Sequence, residues 1–327
     1  MADLSTQYLG LTLKNPLIAS SSGLTNSTDT IERLAEAGIG AIVLKSLFEE
    51  QVSSDVDSQS EDYNFAVHPE AEEYVREMGK HLGPEEYLKL IRSAKQISDV
   101  PIIASMNCVS GKWWGNYARQ IAEAGADAIE LNISMMPRSM DERSDPIEKR
   151  FLQVVERVRT QINLPVAVKL GPYFTSLPWL AGELRKAGVS ALVLFNRFYQ
   201  LDIDVDNLKL KPGYQFSSSH ELYTSLRWIS ILHGQVGCQL SASTGVHSAQ
   251  DTIKMLLAGA DTVQLCSTLY RHGVGQISEI LDGIRLWMSR KGFGGVADFR
   301  GQLSQEKSGH PEAYERLQYI KALTGIG

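Results

Sequence analysis

The sequence lacks most of the features that would place a protein in a metal, membrane or nucleic-acid class. Its 327 residues include three cysteines, Cys108, Cys238 and Cys266, which lie far apart and form no CxxC motif. We therefore expect no zinc or iron–sulfur site, and a reducing compartment. No run approaches the ~20 apolar residues that a membrane span needs. The first residues lack the basic start and apolar core of a signal peptide.

Charge gives a further exclusion. Lysine and arginine number 32 against 38 aspartate and glutamate residues, for a net charge of -6. A nucleic-acid surface would need clustered basic charge, so we expect no such partner. Taken with the other absences, this composition predicts a cytoplasmic protein without a metal site.

A short pattern recurs four times along the chain and predicts its secondary structure. In each copy a helical stretch ends in Ala-Gly and an apolar strand follows; the copies are residues 37–46, 124–133, 187–196 and 258–267. Glycine suits the left-handed conformation just past a helix end. A strand that is apolar throughout is typical of a parallel sheet covered on both faces. Four more apolar strands begin near Pro16, Pro101, Pro165 and Val236.

The eight strands alternate with helical segments over the length of the chain. This alternation predicts an α/β fold of the (β/α)8 TIM-barrel type, built as one domain over residues 1–327. A doubly wound open sheet is the alternative, but the first strand is not followed by a dinucleotide-type glycine fingerprint. Polar runs at 49–62 and 138–145 are expected to extend over the C-terminal mouth, either as lids or as solvated insertions.

Polar side chains gather at the strand ends, where a barrel of this type places its chemistry. Lys45 and Lys169 each follow directly on an apolar strand, and a buried lysine needs an anion or a strong acceptor. Either lysine alone could equally reach out to water. Together with asparagines at other strand ends, they predict a binding site at one mouth. The strand-end residues are Ser21, Ser22, Gly23, Lys45, Asn107, Asn132, Lys169, Asn196, Ser243, Thr244, Gly245, Ser267 and Thr268.

The last two strands end in small hydroxyl residues and glycine, in 241-SASTG-245 and 265-LCST-268. Backbone N–H groups in such loops, next to a helix that opens near Ser248, can hold a phosphate. Loops of serine, threonine and glycine also occur as plain turns. A phosphate site is therefore one of two interpretations of these segments.

Several segments resemble the FMN-dependent dihydroorotate dehydrogenases, especially the soluble class 1 enzymes. The segments are 15-NPLIASSSG-23, 43-VLKS-46, 128-AIELNIS-134, 166-VAVKLGPYF-174, 243-STGVHSAQDTIKMLLAGADTVQLCSTL-269 and 292-GFGGVADFRGQL-303. They follow the family's order and cover almost the whole chain. The resemblance implies an FMN-binding barrel that oxidises a pyrimidine-like small molecule, as dihydroorotate is oxidised to orotate in pyrimidine biosynthesis. It also implies a homodimer.

The resemblance assigns roles to individual residues. Lys45 would touch both flavin and substrate. Lys169 would lie beside the N1/C2=O edge of the flavin, where a fixed cation stabilises the negative charge of the reduced ring. Along the flavin would lie Ser21, Ser22 and Gly23. Hydrogen bonds to the flavin or to a pyrimidine ring would come from Asn107, Asn132 and Asn196. Around the phosphate would lie Ser243, Thr244, Gly245, Ser267 and Thr268.

Three departures from the family pattern concern the same site. Class 1 enzymes read Asn-x-Ser-Cys-Pro-Asn where this sequence reads 132-NISMMP-137, so Met135 stands at the position of the catalytic base. The family's substrate-binding segment Asn-Ser-Met-Gly-Leu-Pro-Asn corresponds to residues 59–74, where Asn64 is the one conceivable replacement. Phosphate-loop glycines of the family become Ser243, Thr244 and Cys266, a change that binding through backbone N–H groups tolerates.

The loss of the base matters because a positioned base typically contributes about 10²–10⁴-fold in rate. Methionine has no titratable proton. Ser134 could serve if the loop turns at that point, since neighbouring side chains on an extended backbone point to opposite faces. We therefore assign catalysis to Lys45, Asn132 and Ser134. The other candidates for the base are Tyr63, His68, Cys108, Asp141 and Glu142.

Three functions follow from these residues. The first is an oxidoreductase of the dihydroorotate dehydrogenase type. The second is a flavin enzyme for a different dihydropyrimidine-like substrate, which the changed base and substrate-binding segment favour. The third is a non-catalytic FMN-binding redox subunit. Because the sequence has no iron–sulfur motif, electrons leaving the flavin would need a free acceptor or a separate redox partner.

Overall fold

The computed structural model describes residues 2–49, 83–108, 114–135, 137, 139–197, 200–213, 215–314, 320 and 324–325. The strands are β1 Thr6–Tyr8, β2 Leu11–Leu13, β3 Leu17–Ala19, β4 Ala41–Val43, β5 Leu47–Phe48, β6 Ile102–Cys108, β7 Ala128–Ile133, β8 Val166–Leu170, β9 Ala191–Leu194, β10 Gln200–Asp204, β11 Lys209–Gly213, β12 Gln239–Ala242 and β13 Thr262–Leu265. The α-helices are α1 Thr28–Glu36, α2 Pro84–Ile97, α3 Trp114–Glu123, α4 Ser144–Arg159, α5 Leu177–Lys186, α6 Leu222–Leu232, α7 Ala249–Ala258, α8 Ser267–His272 and α9 Gln276–Lys291.

Eight parallel strands close into a barrel. Their order is β3, β4, β6, β7, β8, β9, β12 and β13, and β13 pairs back onto β3, with Leu265 opposite Ala19. The short strand β5 continues beyond β4 and pairs with β6, with Leu47 opposite Met106. Helices lie between the strands, as the alternation in the sequence requires. The predicted (β/α)8 barrel is confirmed, and its mouth is formed by the carboxyl ends of the strands.

The four Ala-Gly repeats form the turns that lead into strands. Gly38, Gly125, Gly188 and Gly259 have φ values of +93°, +98°, +91° and +119°. A residue with a β-carbon rarely adopts this conformation, so glycine sets the point where each helix ends and the next strand begins. The prediction of a left-handed residue at these positions is confirmed.

The core lies between the barrel and its ring of helices. In α4, for example, Phe151, Val154, Val155 and Val158 are buried, and their spacing of three to four residues forms one helical face. Phe151 also meets Phe174, which follows β8, in an edge-on contact with ring centroids 5.3 Å apart. This contact holds the middle of α4 against the rim of the barrel.

The hairpin of β1 and β2 closes the N-terminal end of the barrel. Its Tyr8, Leu9 and Leu13 are buried among inward-facing residues of the strands, such as Ile18 and Val43. The Leu9 backbone N–H donates to Gln239 Oε1 at 2.6 Å, at the first residue of β12. With this end filled by side chains, access to the barrel interior is left to the other mouth.

A second hairpin, β10 and β11, was not predicted from the sequence. Asp202 lies opposite Lys211 and pairs with it at 3.1 Å, whereas Leu201, Ile203 and Leu210 form an exposed apolar face. Its apolar and charged residues alternate, as strand structure demands.

In the part of the chain that the structure describes, no helix is both long and apolar enough to cross a membrane.

Candidate active site

A cavity of about 890 Å³ opens at the C-terminal mouth of the barrel. Its volume lies near the upper end of the roughly 300–1,000 Å³ usual for ligand pockets. Twelve of the thirteen strand-end residues line it, and Ser134 and Met135 lie in its wall. The exception is Thr268, which is fully buried in α8 and donates a hydrogen bond from its hydroxyl to the His247 carbonyl at 3.5 Å. The fold therefore brings the predicted residues together, with that one outside the cavity surface.

Three adjacent strands place one layer of polar side chains in the cavity. Asn107 on β6 lies opposite Asn132 on β7, which lies opposite Lys169 on β8. Residues in register on parallel strands point to the same side, so all three face the barrel interior. Asn196, just after β9, extends the layer: its Nδ2 donates to Asn132 Oδ1 at 2.9 Å. This layer offers amide donors and acceptors around a fixed ammonium group.

Beneath this layer, Lys169 belongs to a buried polar network. Its Nζ donates to Ser20 Oγ and to Gln264 Oε1, each at 3.0 Å. Gln264 Nε2 donates in turn to Glu130 Oε2 at 2.6 Å, and the other oxygen, Glu130 Oε1, lies 3.8 Å from Lys169 Nζ. Lys169 is 6% exposed and Glu130 1% exposed. The lysine is thus paired inside the barrel and does not extend to water, which removes the alternative interpretation of this residue.

Hydroxyl groups connect the ends of β3, β4 and β6. Ser46 Oγ shares hydrogen bonds with Ser21 Oγ at 3.0 Å and with Ser105 Oγ at 2.8 Å. Lys45, the neighbour of Ser46, lines the cavity and is half-buried, and no carboxylate in the described ranges forms an ion pair with it. Lys45 therefore presents a cation that is available to an anionic ligand.

The loop after β12 approaches neighbouring backbone closely. Thr244 and Gly245 have φ values of +73° and +80°, and Thr244 Oγ1 donates to the Phe195 carbonyl at 3.0 Å. A left-handed threonine is strained, and such residues cluster at functional sites. Gly245 lies directly against α6, where an added β-carbon would lie 2.8 Å from the Leu222 Cα.

Replacing Gly245 by alanine is expected to destabilise the protein by about 2 kcal/mol or more, because the left-handed φ and the overlap with Leu222 add together. Urea unfolding of the purified variant measures this loss. Gly292→Ala is the matched control, since Gly292 has φ +77° and an added β-carbon there would meet nothing within 4 Å. Equal losses for both variants would contradict the packing argument.

Polar groups of β12, β13 and their loops line the cavity on the side away from Asn107. Ser243 is buried, and Ser267 accepts a hydrogen bond from the Ser217 N–H at 3.0 Å. Arg197 reaches the same region, and its Nε donates to Glu221 Oε2 at 2.8 Å. Burial raises the pKa of the Cys266 thiol, against the opposing influence of the nearby Lys169 charge. Cys266 therefore stays neutral at physiological pH and is a poor proton acceptor.

Comparison with known proteins gives the family of this arrangement. The family model described as dihydroorotate dehydrogenase matches residues 3–288. The chain belongs to the dihydroorotate dehydrogenase family. It is therefore an oxidoreductase that acts on a CH–CH group, in a family of flavoproteins.

Curated relatives of this dihydroorotate dehydrogenase family member are distant but cover most of the chain. The dihydroorotate dehydrogenase B (NAD(+)) catalytic subunit of Thermoplasma acidophilum is 26% identical over 307 residues, which are 92% of this chain and 99% of that protein. The NAD-dependent dihydropyrimidine dehydrogenase subunit PreA of Escherichia coli is 24% identical over 320 residues, 91% of this chain and 76% of that protein. The two names differ in substrate, so the family alone leaves the substrate open.

A half-buried methionine stands at the position to which the family resemblance assigns the catalytic base. Met135 lines the cavity and packs against the core, and Ser134 beside it is exposed and also lines the cavity. Of the other sequence candidates, Glu142 lines the cavity and pairs with Arg150, while Asp141 is exposed. The candidates outside the described residues or side chains are Tyr63, His68, Cys108 and the substrate-segment Asn64.

Sequence reasoning missed several polar residues of this site. Among them are Ser20, Glu130, Glu148 and Gln264, all of which line the cavity. A signal for two of them was available: Glu130 stands two residues before Asn132 in β7, and Gln264 interrupts the apolar strand β13. Since side chains two apart on a strand share a face, a charged residue two before Asn132 had to face the barrel interior.

Proposed function

We propose that the protein is an FMN-dependent oxidoreductase that oxidises a dihydropyrimidine, with dihydroorotate as the first substrate to test. The observation that carries this proposal is the layer of Asn107, Asn132 and Lys169 at the bottom of a cavity of flavin-sized dimensions. Amide groups around one fixed cation match the alternating donors and acceptors of a flavin ring whose reduced form is negatively charged.

The residues present fit FMN at both ends of that molecule. Lys169, Asn132 and Asn196 would hold the ring, with Ser21, Ser22 and Gly23 along it. The phosphate would be held by Ser243, Thr244, Gly245 and Ser267, whereas Thr268 lies outside the cavity surface. The glycine at position 245 supports this assignment, since glycine lets the backbone approach a ligand closely.

FMN supplies a hydride acceptor at its N5. The protein must then hold the substrate with its hydride-bearing carbon toward that atom and receive a proton from the neighbouring carbon. Lys45 would bind the negatively charged part of the substrate, because it is the cation of the cavity without a carboxylate partner among the described residues. Asn132 and Asn196, which we place beside the flavin ring, would also orient the pyrimidine ring of the substrate. Ser134 is one group available to receive the proton, since Met135 cannot.

A different dihydropyrimidine-like substrate is the second candidate function. It is favoured by Met135 in the cavity wall, where the family places its base, and by the dihydropyrimidine dehydrogenase name of the Escherichia coli relative. A non-catalytic FMN-binding redox subunit is the third. The relatives named as subunits support a separate redox partner for this chain.

The exposed apolar face of the hairpin β10–β11 supports a homodimer, because large apolar patches are usually covered. Light scattering of the purified protein measures its mass in solution and so tests whether it is a dimer.

We expect the purified protein to bind FMN and to be yellow. Anaerobic addition of dihydroorotate should bleach the visible flavin absorbance, and orotate should perturb the spectrum. A colourless protein that takes up no added FMN would overturn the proposal. Bound flavin that responds to neither dihydroorotate nor orotate favours the second candidate, a different dihydropyrimidine-like substrate, if another reduced pyrimidine bleaches it. If none does, the redox subunit is favoured.

A further inference from the structure

A buried carboxylate lies directly below the lysine that faces the flavin site. Glu130 is 1% exposed, and one of its oxygens accepts from Gln264 Nε2 at 2.6 Å. The other, Oε1, has no hydrogen-bond partner among the described residues and lies 3.8 Å from Lys169 Nζ. An unsatisfied buried carboxylate oxygen is costly, so a residue of this kind calls for a functional explanation.

Glu130 also fixes how Gln264 presents its amide. Because the Gln264 NH2 donates to Glu130, the carbonyl oxygen is left to accept from Lys169 at 3.0 Å and from Ser20 Oγ at 2.9 Å. Two of the three ammonium hydrogens of Lys169 are therefore directed to Ser20 and Gln264. The carboxylate thus acts on Lys169 twice, through the orientation of Gln264 and through its own negative charge.

Within the described part of the chain, Lys169 is the one cation that pairs with Glu130. On the neighbouring strands, Ser105 and Ala167 lie opposite it in register. From the N-terminal hairpin comes Tyr8, whose pKa is raised well above its usual value by burial first and by the negative charge of Glu130 second. The phenol is consequently neutral, and the charges of this buried network are those of Lys169 and Glu130.

We propose that Glu130 is a positioning residue that holds Lys169 beneath the flavin ring and offsets its charge, and so keeps the reduction potential of the flavin low. The inference rests on the proposed binding of FMN. Lys169 favours the negatively charged reduced ring, and Glu130 opposes that preference from about one ion-pair distance away. Its function is to set how readily the flavin accepts electrons, without contact with the substrate.

The test is the reduction potential of bound FMN in Glu130→Gln, measured anaerobically against a reference dye. Glutamine keeps the shape of the side chain and removes its charge. The equilibrium constant for reduction of the bound flavin should therefore rise on the order of tenfold relative to wild type, which is an upward shift of about 30 mV in the two-electron potential. The affinity for sulfite, which adds to electron-poor flavins, should rise in parallel. Glu156→Gln is the control, because it removes the same charge from the exposed side of α4, outside the cavity, and should leave the potential nearly unchanged.

Glu130→Asp provides the second variant, since it keeps a carboxylate but withdraws it by one methylene. Its potential should rise less than that of Glu130→Gln, and it tests the same point if the glutamine variant does not fold. Bound FMN with an unchanged or lowered potential in these variants would overturn the inference while leaving the proposed function intact. Failure of the wild type to bind FMN would overturn both, so the two failures are distinguishable.

Discussion

Replacing Lys169 by methionine should cost about 3–5 kcal/mol of folding stability, because it leaves the carboxylate of Glu130 buried without a counter-charge. Methionine fills a similar volume, so lost packing contributes little. A loss of this size is a large part of the total stability of most proteins. Urea unfolding monitored by circular dichroism measures it, and a poor soluble yield would be its most severe form.

The double variant Lys169→Met/Glu130→Gln separates charge from packing. Removing both charges should recover most of the stability, since a buried ion pair can often be replaced by neutral residues at little cost. Lys186→Met is the matched control. Its ion pair with Glu183 joins residues three apart on the helix surface, where such pairs contribute well under 1 kcal/mol. A double variant as unstable as Lys169→Met would mean that the lysine stabilises the fold by packing.

The same double variant should not recover flavin binding. Both the single and the double variant lack Lys169, the cation that we propose to face the flavin ring, whereas the loss of stability is expected only in the single variant. In the double variant, the free energy of unfolding should return toward the wild-type value while FMN affinity, followed by quenching of flavin fluorescence, should stay low. This divergence between the two measurements would identify Lys169 as a binding group in addition to its structural role.

The barrel could be predicted from the sequence because its signals are local. The four Ala-Gly repeats require a left-handed residue after each helix, and the structure has Gly38, Gly125, Gly188 and Gly259 in that conformation. Apolar strands bounded by such turns leave little choice of architecture. The hairpin β10–β11 escaped prediction because its exposed strands alternate apolar and charged residues and so lack the continuous apolar run that marks the barrel strands.

The site was predictable in its members but not in its connections. Strand ends meet at one mouth in any barrel, so the convergence of Lys45, Asn132 and Asn196 on one cavity follows from topology alone. The bond from Asn196 to Asn132 and the contact between Gln264 and Glu130 join residues that are 64 and 134 positions apart. Such pairings depend on strand register and side-chain rotamer, which a single sequence does not contain.

The proton acceptor was the least predictable feature, and the structure adds a candidate on α4. Ser144, Ile147, Glu148 and Phe151 share one helical face and line the cavity in whose wall Met135 lies. Glu148 is half-buried, and within the described part of the chain it has no ion-pair partner. Glu142, the other carboxylate of that rim, is held by Arg150.

Glu148→Gln is expected to slow reduction of the flavin by substrate about 10²-fold or more, the usual contribution of a positioned base. Stopped-flow measurement under anaerobic conditions gives this rate directly. Dihydroorotate, or whichever reduced pyrimidine bleaches the flavin, serves as substrate. FMN affinity and the flavin spectrum should be unchanged, because the groups that we propose to hold the flavin ring lie on or just after the strands. Glu142→Gln is the matched control, with the same change of charge at the same rim and an expected effect of less than about threefold.

Met135→Cys in the Glu148→Gln background tests whether the proton acceptor lies on α4 in this protein and not in the loop that holds residue 135. The substitution returns the family's base to its usual position, so part of the lost rate should return if the substrate lies within reach of residue 135. A thiol titrates near pH 8.5, so the rescued rate should climb as the pH rises toward that value. If Glu148→Gln reacts at the wild-type rate, Glu148 is not the base, and the sequence candidates in the described cavity wall, Ser134 and Glu142, are the next to test. Rescue by the cysteine with this pH dependence would instead show that a proton acceptor on α4 has taken over the task of the missing loop residue.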